Sequence, residues 1–468
     1  MSDNLILPTA FRQRMVSILR DESEAFFESL QAKPHVSVRI NPCKWNKAVS
    51  LEKIPWSGWG FYPVERPLFT LDPWFHAGAY YVQEPASMFL ERAFSAIPAD
   101  HGPRLILDLC AAPGGKSTHI LSLINETDLL VANEVIKSRA SVLQENISKW
   151  GYSNVMVTQN DPRDFARLQG LFDIVVVDAP CSGEGLFRKG SAAVGEWSED
   201  NAKLCAARQR RILDDAWECL KPDGFLIYST CTFNPEENEV NLSWLQKEKD
   251  AASIAIPMEA QWSITPVNFE SIAGYRFYPH KTRGEGFFLG VLQKTENAST
   301  VMRVKTQGKQ VPFPERKGAA LQKWIAGAEK ADFTERGEVT YYLKNQHIAM
   351  LRFFEPRLNI LQAGMPIAVE KAGKLNPHPA LAHNIRYNRA AFPDVPLDLK
   401  NALRFMRREN IAVSCAASDW ATVSFEKIPL GWVKNIGVRV NNYFPKEWRI
   451  RMELREISTL WHDCEATD

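Results

Sequence analysis

Apolar positions between residues 104 and 294 switch repeatedly between short unbroken runs and helical stripes. "RLILDLC", "LLVANE", "NVMVTQND", "FDIVVVDAP" and "GFLIYSTC" have the length and composition of buried strands. Between them, "GGKSTHILSLI" turns Ile120, Leu123 and Ile124 to one side, and "KSRASVLQENISKW" does the same with Ala140, Leu143, Ile147 and Trp150. A third stripe carries Leu213, Ala216, Trp217 and Leu220. Strands alternating with helices predict a mainly parallel sheet with right-handed crossovers and both faces covered. "GYRFYPH" and "GEGFFLGVLQK" read as an antiparallel pair that closes the unit near residue 294. Ligands bind such sheets at the carboxyl ends of the strands, where Asp108, Glu134, Asp161, Asp178 and Ser229 lie.

The flanks have other patterns. Residues 9–31 space Phe11, Met15, Ile18, Leu19, Phe26, Phe27 and Leu30 as a helix does. "HVSVRINPCK" then alternates Val36, Val38 and Ile40 against Ser37 and Arg39 until Asn41-Pro42 ends the strand, so a small α+β lead-in is expected. After the polar stretch "TENASTVMRVKTQGKQ" the strand–helix alternation stops. "VTYYLK", "HIAMLRF" and "MPIAVEK" predict a mixed subdomain to residue 385, and "GWVKNIGVRVNNYFPKEWRIRMEL" a small β-rich module.

Composition narrows the class. The 468 residues suffice for about three domains of ordinary size. A net charge of +1 excludes a uniformly basic nucleic-acid binder, so any such contact must come from local patches. No apolar run reaches the roughly 18 residues of a membrane span, and the N-terminus lacks the charged start and apolar core of a signal peptide; a cytoplasmic protein is expected. The 8 cysteines form no C-x-x-C pair, so neither a zinc site nor a disulfide framework is expected.

The chemistry concentrates in three motifs. "DLCAAPGGKST", from Asp108 to Thr118, puts Gly114 and Gly115 between a strand and a helix, where a missing side chain lets a ligand approach N–H groups at the helix start. Glu134, ending the second strand about 20 residues on, can accept from both hydroxyls of a ribose. The loop lacks G-x-G-x-x-G and the phosphate-loop spacing, which favours adenosylmethionine over a dinucleotide. Cys181 in "DAPCSG" and Cys231 in "STCTFNPEENE" end the fourth and fifth strands. After Cys231, Asn234 as cap, Pro235 in the first turn and Glu237 as reciprocal cap predict a helix whose dipole would favour a thiolate. Two such thiols at adjacent strand ends are candidates for one site. Cys205 and Cys219, in an apolar-patterned helix, read as small buried hydrophobes, and Cys43, Cys415 and Cys464 carry no signal.

"DLCAAPGGKST", "ANE", "DAPCSGEG" and "STCTFNPEENE", in this order and spacing, resemble the Sun-type family of RNA cytosine-5 methyltransferases. The likeness runs from "SVRINP" through "YVQEPASM" to "GEGFFLGVL", and "LGWVKN" and "FPKEWRIRM" are similar to the PUA-like module of its RsmF-like ribosomal-RNA branch. The resemblance implies an α/β, Rossmann-like class I methyltransferase fold with a seven-stranded, mostly parallel sheet, a small α+β N-terminal domain, and C-terminal α+β and PUA-like β-rich domains. The expected divisions are an RNA-binding lead-in at 1–75, the methyltransferase domain at 76–295, a mixed subdomain at 296–385 and the PUA-like domain at 386–468.

The resemblance also implies S-adenosylmethionine as cofactor, RNA as partner and cytosine carbon 5 of 16S ribosomal RNA as target, with no metal, no membrane and a monomeric chain. Cys110, Ala111, Ala112, Pro113, Gly114, Gly115 and Lys116 would hold the cofactor, Glu134 its ribose and Asp161 its adenine. Asp178 would stand between the methionine end and the base, with Cys231 the nucleophile and Cys181 the cysteine that helps release the product. Gln83 and Ser87 would line the pocket. Carbon 5 of cytosine is a weak nucleophile until a thiolate adds at carbon 6 and makes it enamine-like, which is why one thiol must attack and a second group must help it leave. Exchanged roles for the two cysteines stay open, as do a transfer-RNA substrate and a non-catalytic ribosome-assembly protein.

Three basic groups are candidate RNA contacts. Lys434, Arg439, Lys446, Arg449, Arg451 and Arg455 outnumber Glu447 and Glu453 and are interleaved with Tyr443, Phe444 and Trp448. Arg276, His280, Lys281 and Arg283 form a second group, and Arg188 and Lys189 a third, near Cys181.

Overall fold

The computed structural model describes residues 5–98, 102–295, 302, 313–327, 332–411, 419–437 and 439–454. At its centre five parallel strands stand in the order Val155–Thr158, Leu129–Asn133, Leu105–Asp108, Phe172–Asp178, Leu220–Thr230. The chain starts in the middle, steps out to one side, then crosses back to build the other. The order therefore reverses between Leu105–Asp108 and Phe172–Asp178, and a crevice opens there at the carboxyl ends.

Successive side chains point to opposite faces. Ile106, Leu130, Val157, Val176 and Ile227 meet Ile120, Leu143 and Ile147 of the helices Gly115–Leu123 and Lys137–Trp150. Leu107, Val131, Met156, Val175 and Leu226 meet Leu213, Trp217 and Leu245 of Glu199–Cys219 and Glu239–Glu248. Cover on both faces is the reason these runs are apolar throughout, and each large side chain so buried contributes about 1.5–3 kcal/mol.

Phe287–Lys294 pairs antiparallel with Leu220–Thr230, and Ile272–Phe277 with Phe287–Lys294, which makes up the seven expected strands. The sheet goes further, to ten strands: Thr265–Phe269 extends one edge, Ala251–Ser253 pairs beside Phe287–Lys294, and Ile360–Ala363 pairs antiparallel with Val155–Thr158 at the other edge. Ile360–Ala363 covers an edge that would otherwise present unpaired backbone groups. Its partner is so distant along the chain that no local pattern announces the pairing.

The stripe at residues 9–31 forms two helices, Thr9–Leu19 and Ser23–Gln31, separated by a short turn at Arg20–Glu22 in which Arg20 has φ 51°. Phe11, Met15, Phe26 and Leu30 pack on Phe187, Trp197, Phe233 and Tyr278, so these helices rest on the segments that follow Cys181 and Cys231. Val38–Ile40 joins Glu52–Lys53, Gly60–Tyr62 and Tyr80–Val82 in a four-stranded antiparallel sheet, so the division expected at residues 75 and 76 falls inside it. Nor does the alternation in this strand separate core from solvent, because Arg39 is as buried as Val38 and Ile40. Its guanidinium donates to Gln83 Oε1 (2.7 Å), Thr118 Oγ1 (2.7 Å) and the Gly115 carbonyl (3.3 Å), and lies 4.4 Å over the Trp150 ring.

Toward the C-terminus, Phe333–Arg336, Val339–Tyr342, Met365–Lys371 and Lys374–Pro377 form one four-stranded sheet, and Asp394–Pro396, Trp420–Phe425, Ile428–Asn435 and Val440–Asn442 another. "HIAMLRF" is part of the helix Asn345–Phe354, whose Ile348 and Leu351 extend the core of the main sheet. Val423, Leu430, Phe405 and Met406 of the last module share one core with Val38, Ile40, Phe61 and Tyr80, so the two ends of the chain pack together. Among the described residues no helix is long and apolar enough to cross a membrane.

Candidate active site

The first loop leaves the central strand at Asp108. Leu109 N–H donates to the Val176 carbonyl and Ala111 N–H to that of Asn133, which holds the loop to both neighbouring strands. Gly114 follows at φ +113°, a conformation that glycine adopts without strain, and caps the helix Gly115–Leu123. Arg139 Nη2 donates to the Ala112 carbonyl and Asn146 Nδ2 to that of Pro113, both at 2.8 Å. Asp108 is fully buried, with Oδ2 accepting from Ser117 Oγ at 2.6 Å and Oδ1 without a partner among the described residues. Burial pushes its carboxyl up to about 7, against the pull of Ser117.

Asn133, which the sequence did not single out, ties three strand ends together. Its amide donates to the Leu109 carbonyl (3.2 Å) and the Asn160 carbonyl (3.0 Å), and its Oδ1 accepts from Thr158 Oγ1 (2.9 Å) and Asn160 N–H (3.0 Å). Glu134 is buried next to it; Oε1 accepts from Ile136 N–H at 2.9 Å and Oε2 lies 3.4 Å from Arg139 Nη1. Asp161 caps the helix Pro162–Ala166 through Arg163 N–H, and its carboxylate pairs with Arg163 at 3.2 Å.

A cavity of about 360 Å³ opens beside the loop. Cys110, Ala111, Ala112, Pro113, Gly115 and Lys116 line it, together with Asp178, Cys231, Gln83, Ser87 and Glu285. Gly114, Glu134, Asp161 and Cys181 are not part of its lining. Gln83 Nε2 donates to Ser87 Oγ at 3.2 Å, so this pair is a fixed wall behind Arg39. Lys116 Nζ lies 2.8 Å from Asp178 Oδ2, and Ser229 Oγ donates to Asp178 Oδ1 at 2.8 Å.

The two cysteines meet: Cys181 Sγ and Cys231 Sγ are 3.1 Å apart. The surroundings differ from the expected helix terminus. Asn234 accepts from Glu236 N–H and caps only the short turn Pro235–Glu237, and the helix begins at Glu239. Glu237 does not reach back to Asn234 N–H, which donates to Thr232 Oγ1 instead. Its carboxylate accepts from Ser182 N–H, Ser182 Oγ, Gln209 Nε2 and Asn234 Nδ2, so it fastens the Cys181 loop rather than closing a capping box. The Cys181 thiol is shifted well above its ordinary range, by its bond with Cys231, by burial, and by the charges of Cys231 and Glu237.

The basic groups divide. Arg276 is buried and donates to both oxygens of Glu239 at 2.6 Å and to the Phe233 carbonyl at 2.6 Å, so it braces the Cys231 segment and is no RNA contact. Lys281 pairs with Glu22 at 2.7 Å, His280 stands 3.7 Å from the same carboxylate, and Arg283 pairs with Glu52; all three fasten the N-terminal region. Arg188 is buried too, donating to the Gly284 and Lys33 carbonyls, whereas Lys189 is exposed at the cavity. In the last module Arg439, Lys446, Arg449 and Arg451 are exposed beside an exposed Tyr443, while Lys434 pairs with Asp419 and Phe444 belongs to the core. Trp448 is half-buried, tilted against His383, and Arg455 lies outside the described residues.

Comparison with known proteins matches each part. Residues 97–293 fit the family model described as 16S rRNA methyltransferase RsmB/F, residues 7–85 the N-terminal domain of 16S rRNA methyltransferase RsmF, and residues 392–450 the methyltransferase RsmF PUA domain. A ribosomal RNA small subunit methyltransferase F of Enterobacter sp. (strain 638) is 30% identical, covering 91% of this chain and 92% of its own. One of Escherichia coli O139:H28 is 30% identical over 94% and 95%. Among solved structures, a methyltransferase homolog protein from Pyrococcus horikoshii is 26% identical with a TM-score of 0.53, covering 62% of this chain and 96% of that one. Matched over 91% and 94% of its length by these relatives, and with the loop, sheet and cysteine pair in place, the chain belongs to the RsmB/F family of 16S rRNA methyltransferases.

Proposed function

We propose that the protein methylates carbon 5 of a cytosine in 16S ribosomal RNA, using S-adenosylmethionine and a covalent cysteine adduct. The observation that carries this reading is the Cys181–Cys231 pair at 3.1 Å, with Cys231 and Asp178 on the cavity that the Cys110–Lys116 loop lines. The donor set suits the cofactor: small and apolar walls at Ala111, Ala112 and Pro113, a carboxylate at Asp178 for its cationic end, and Glu134 and Asp161 at the next two strand ends for ribose and adenine. S-adenosylmethionine, when bound, supplies an electrophilic methyl group.

The roles of the two thiols follow from their asymmetry. Cys181 keeps its proton, because Cys231, burial and Glu237 all disfavour its ionisation. Cys231, which lines the cavity where Cys181 does not, is the sulfur that adds at carbon 6. Asp178, fixed by Lys116 and Ser229, lies between the methionine end of the cofactor and the base. Bonding of Cys231 to carbon 6 removes its charge from Cys181, which gives up its own proton to solvent and then accepts the one from the methylated carbon 5 as the Cys231 sulfur leaves. The base must leave its stack to reach this cavity, at a cost of a few kcal/mol. Contacts from the N-terminal region at 1–75 and the exposed basic face of the PUA-like region at 386–468 offset that cost.

The reading extends to a catalytic domain that begins after the strand Tyr80–Val82 and runs to residue 295, a connecting subdomain at 296–385, a monomeric chain and a cytoplasmic location. Bisulfite mapping of RNA from cells with and without the protein tests it. One 5-methylcytosine lost from 16S ribosomal RNA is expected; a site lost from transfer RNA instead, or none lost, would overturn it.

A further inference from the structure

Glu285 and Gly286 line the cavity, and the backbone of residues 283–285 is fastened by three hydrogen bonds. Tyr62 Oη donates to the Arg283 carbonyl, Arg188 Nη1 donates to the Gly284 carbonyl, and Glu84 Oε1 accepts from Glu285 N–H, each at 2.9 Å. The next residue, Gly286, packs against the main chain of Gly185, whose N–H donates to the Cys231 carbonyl at 2.9 Å. A Cβ on Gly185 would come within 2.4 Å of the Gly286 carbonyl oxygen and 2.8 Å of that of Cys231. Glu285 thus precedes a glycine that packs on Gly185, which is itself bonded to the Cys231 carbonyl.

Its carboxyl makes no hydrogen bond among the described residues and has only the charge of Arg188 close by. Glu285 is 3% exposed and lines the cavity, yet neither carboxyl oxygen has a hydrogen-bond partner among the described residues. Arg188 stands 3.9 Å away, with its own N–H groups committed to the Gly284 and Lys33 carbonyls. Burial raises this carboxyl above its usual range, against the weaker pull of Arg188 and Lys189, so it carries a proton more readily than an exposed glutamate. Asp178, by contrast, has both oxygens engaged by Lys116 and Ser229. An unpaired polar group in a buried cavity costs stability unless a ligand completes it.

We propose that Glu285 is the acid that reads and activates the target cytosine, donating its proton to ring nitrogen 3 and accepting from the exocyclic amino group. The assignment rests on the activity proposed above. As the Cys231 sulfur bonds to carbon 6, the electron pair of the ring's nitrogen 3–carbon 4 double bond settles on nitrogen 3 and takes the Glu285 proton, which leaves a carboxylate. The pair from the carbon 5–carbon 6 bond moves between carbons 4 and 5 and makes carbon 5 the nucleophile. Once carbon 5 has been methylated, its proton passes to the Cys181 thiolate, the C–H pair forms the carbon 5–carbon 6 double bond, the Cys231 sulfur leaves with the carbon 6–sulfur pair, and the nitrogen 3 proton returns to the Glu285 carboxylate.

Glu285→Gln preserves the shape and can donate an N–H, but it has no proton to transfer. The expected result is a kcat lowered about 100-fold with the KM for 16S RNA, the S-adenosylmethionine Kd and the melting temperature unchanged, and a matching slowdown of adduct formation on 5-fluorocytosine RNA. Wild-type kcat in this variant overturns the assignment. So does a fall in melting temperature or failure to fold, because it would show that the carboxyl serves the structure. If the wild-type protein forms neither 5-methylcytosine nor an adduct, the proposed activity itself has failed; if the wild type works and Glu285→Gln equals it, only the role of Glu285 has.

Discussion

The Glu237 carboxylate holds Ser182 by both of its donors, with Oε1 accepting from the main-chain N–H at 2.8 Å and Oε2 from the hydroxyl at 2.5 Å. Gln209 adds a third strut, donating to Glu237 at 3.1 Å and to the Pro180 carbonyl at 3.0 Å. The residues on either side of Cys181 are thus anchored to the segment that follows Cys231. Glu237→Ala leaves buried donors unpaired, at about 1–3 kcal/mol each. The variant should melt earlier, and because Cys231 keeps its own strand, it should form RNA adducts that resolve slowly. Denaturing gels of the adduct over time read this, and adduct resolution at the wild-type rate would contradict it.

The two cysteines should separate cleanly. Cys231→Ala is expected to give no adduct with 5-fluorocytosine RNA, whereas Cys181→Ala should accumulate one even on unmodified RNA. The reverse pattern would exchange the roles.

Asn133 acts on the cofactor side. Its four hydrogen bonds join the ends of the strands that lead to Cys110, Glu134 and Asp161. Asn133→Ala should weaken S-adenosylmethionine binding about tenfold, the equivalent of 1.4 kcal/mol, in a calorimetric titration. An unchanged Kd would show that the loop holds its shape without this link.

Asp108 should leave a signature in stability against pH. Its carboxyl is raised from 3.8 to about 7, chiefly by burial. A carboxyl with a folded pKa above its unfolded one binds more protons when folded, so its contribution is fully present below 3.8 and is lost as pH rises through about 7. Asp108→Asn can still accept from Ser117 but does not titrate. The unfolding free energy of the variant, minus that of the wild type, should therefore increase across that window, and a flat difference would count against the buried acid.

Arginines in the two basic groups should behave differently. Arg276→Ala breaks a buried ion pair, which costs about 3–5 kcal/mol of stability, without changing the salt dependence of RNA binding. Arg449→Ala, on the exposed face, should leave stability alone and lower the slope of log affinity against log salt by about 1. Equal slopes for Arg449→Ala and wild type would remove that face from the RNA contact.

The alternation of buried strands and helices, the glycine loop at Gly114 and the two strand-end cysteines were all legible along the chain, because each depends on residues within a few positions of one another: side-chain period, a backbone conformation that suits glycine, a thiol after a strand. The same local logic misled at Glu237. Its spacing from Asn234 suits a capping box, but the nearby Ser182 and Gln209 offered its carboxylate stronger use. Charge was misleading in a similar way, since Arg188 and Arg276 look like surface cations in sequence and are buried in the fold by the carbonyls and carboxylate that receive them.

What the sequence determined by itself was therefore the inventory: a parallel α/β sheet, a donor loop and two thiols at neighbouring strand ends. The tertiary structure alone decided the relationships: that Cys181 meets Cys231, that Arg188 and Arg276 are buried, that Ile360–Ala363 closes the sheet edge, and that the Glu285 carboxyl makes no hydrogen bond among the described residues. The physical reason is that hydrogen bonding, burial and charge coupling act through space, between groups that folding brings within a few ångströms and that no spacing along the chain encodes.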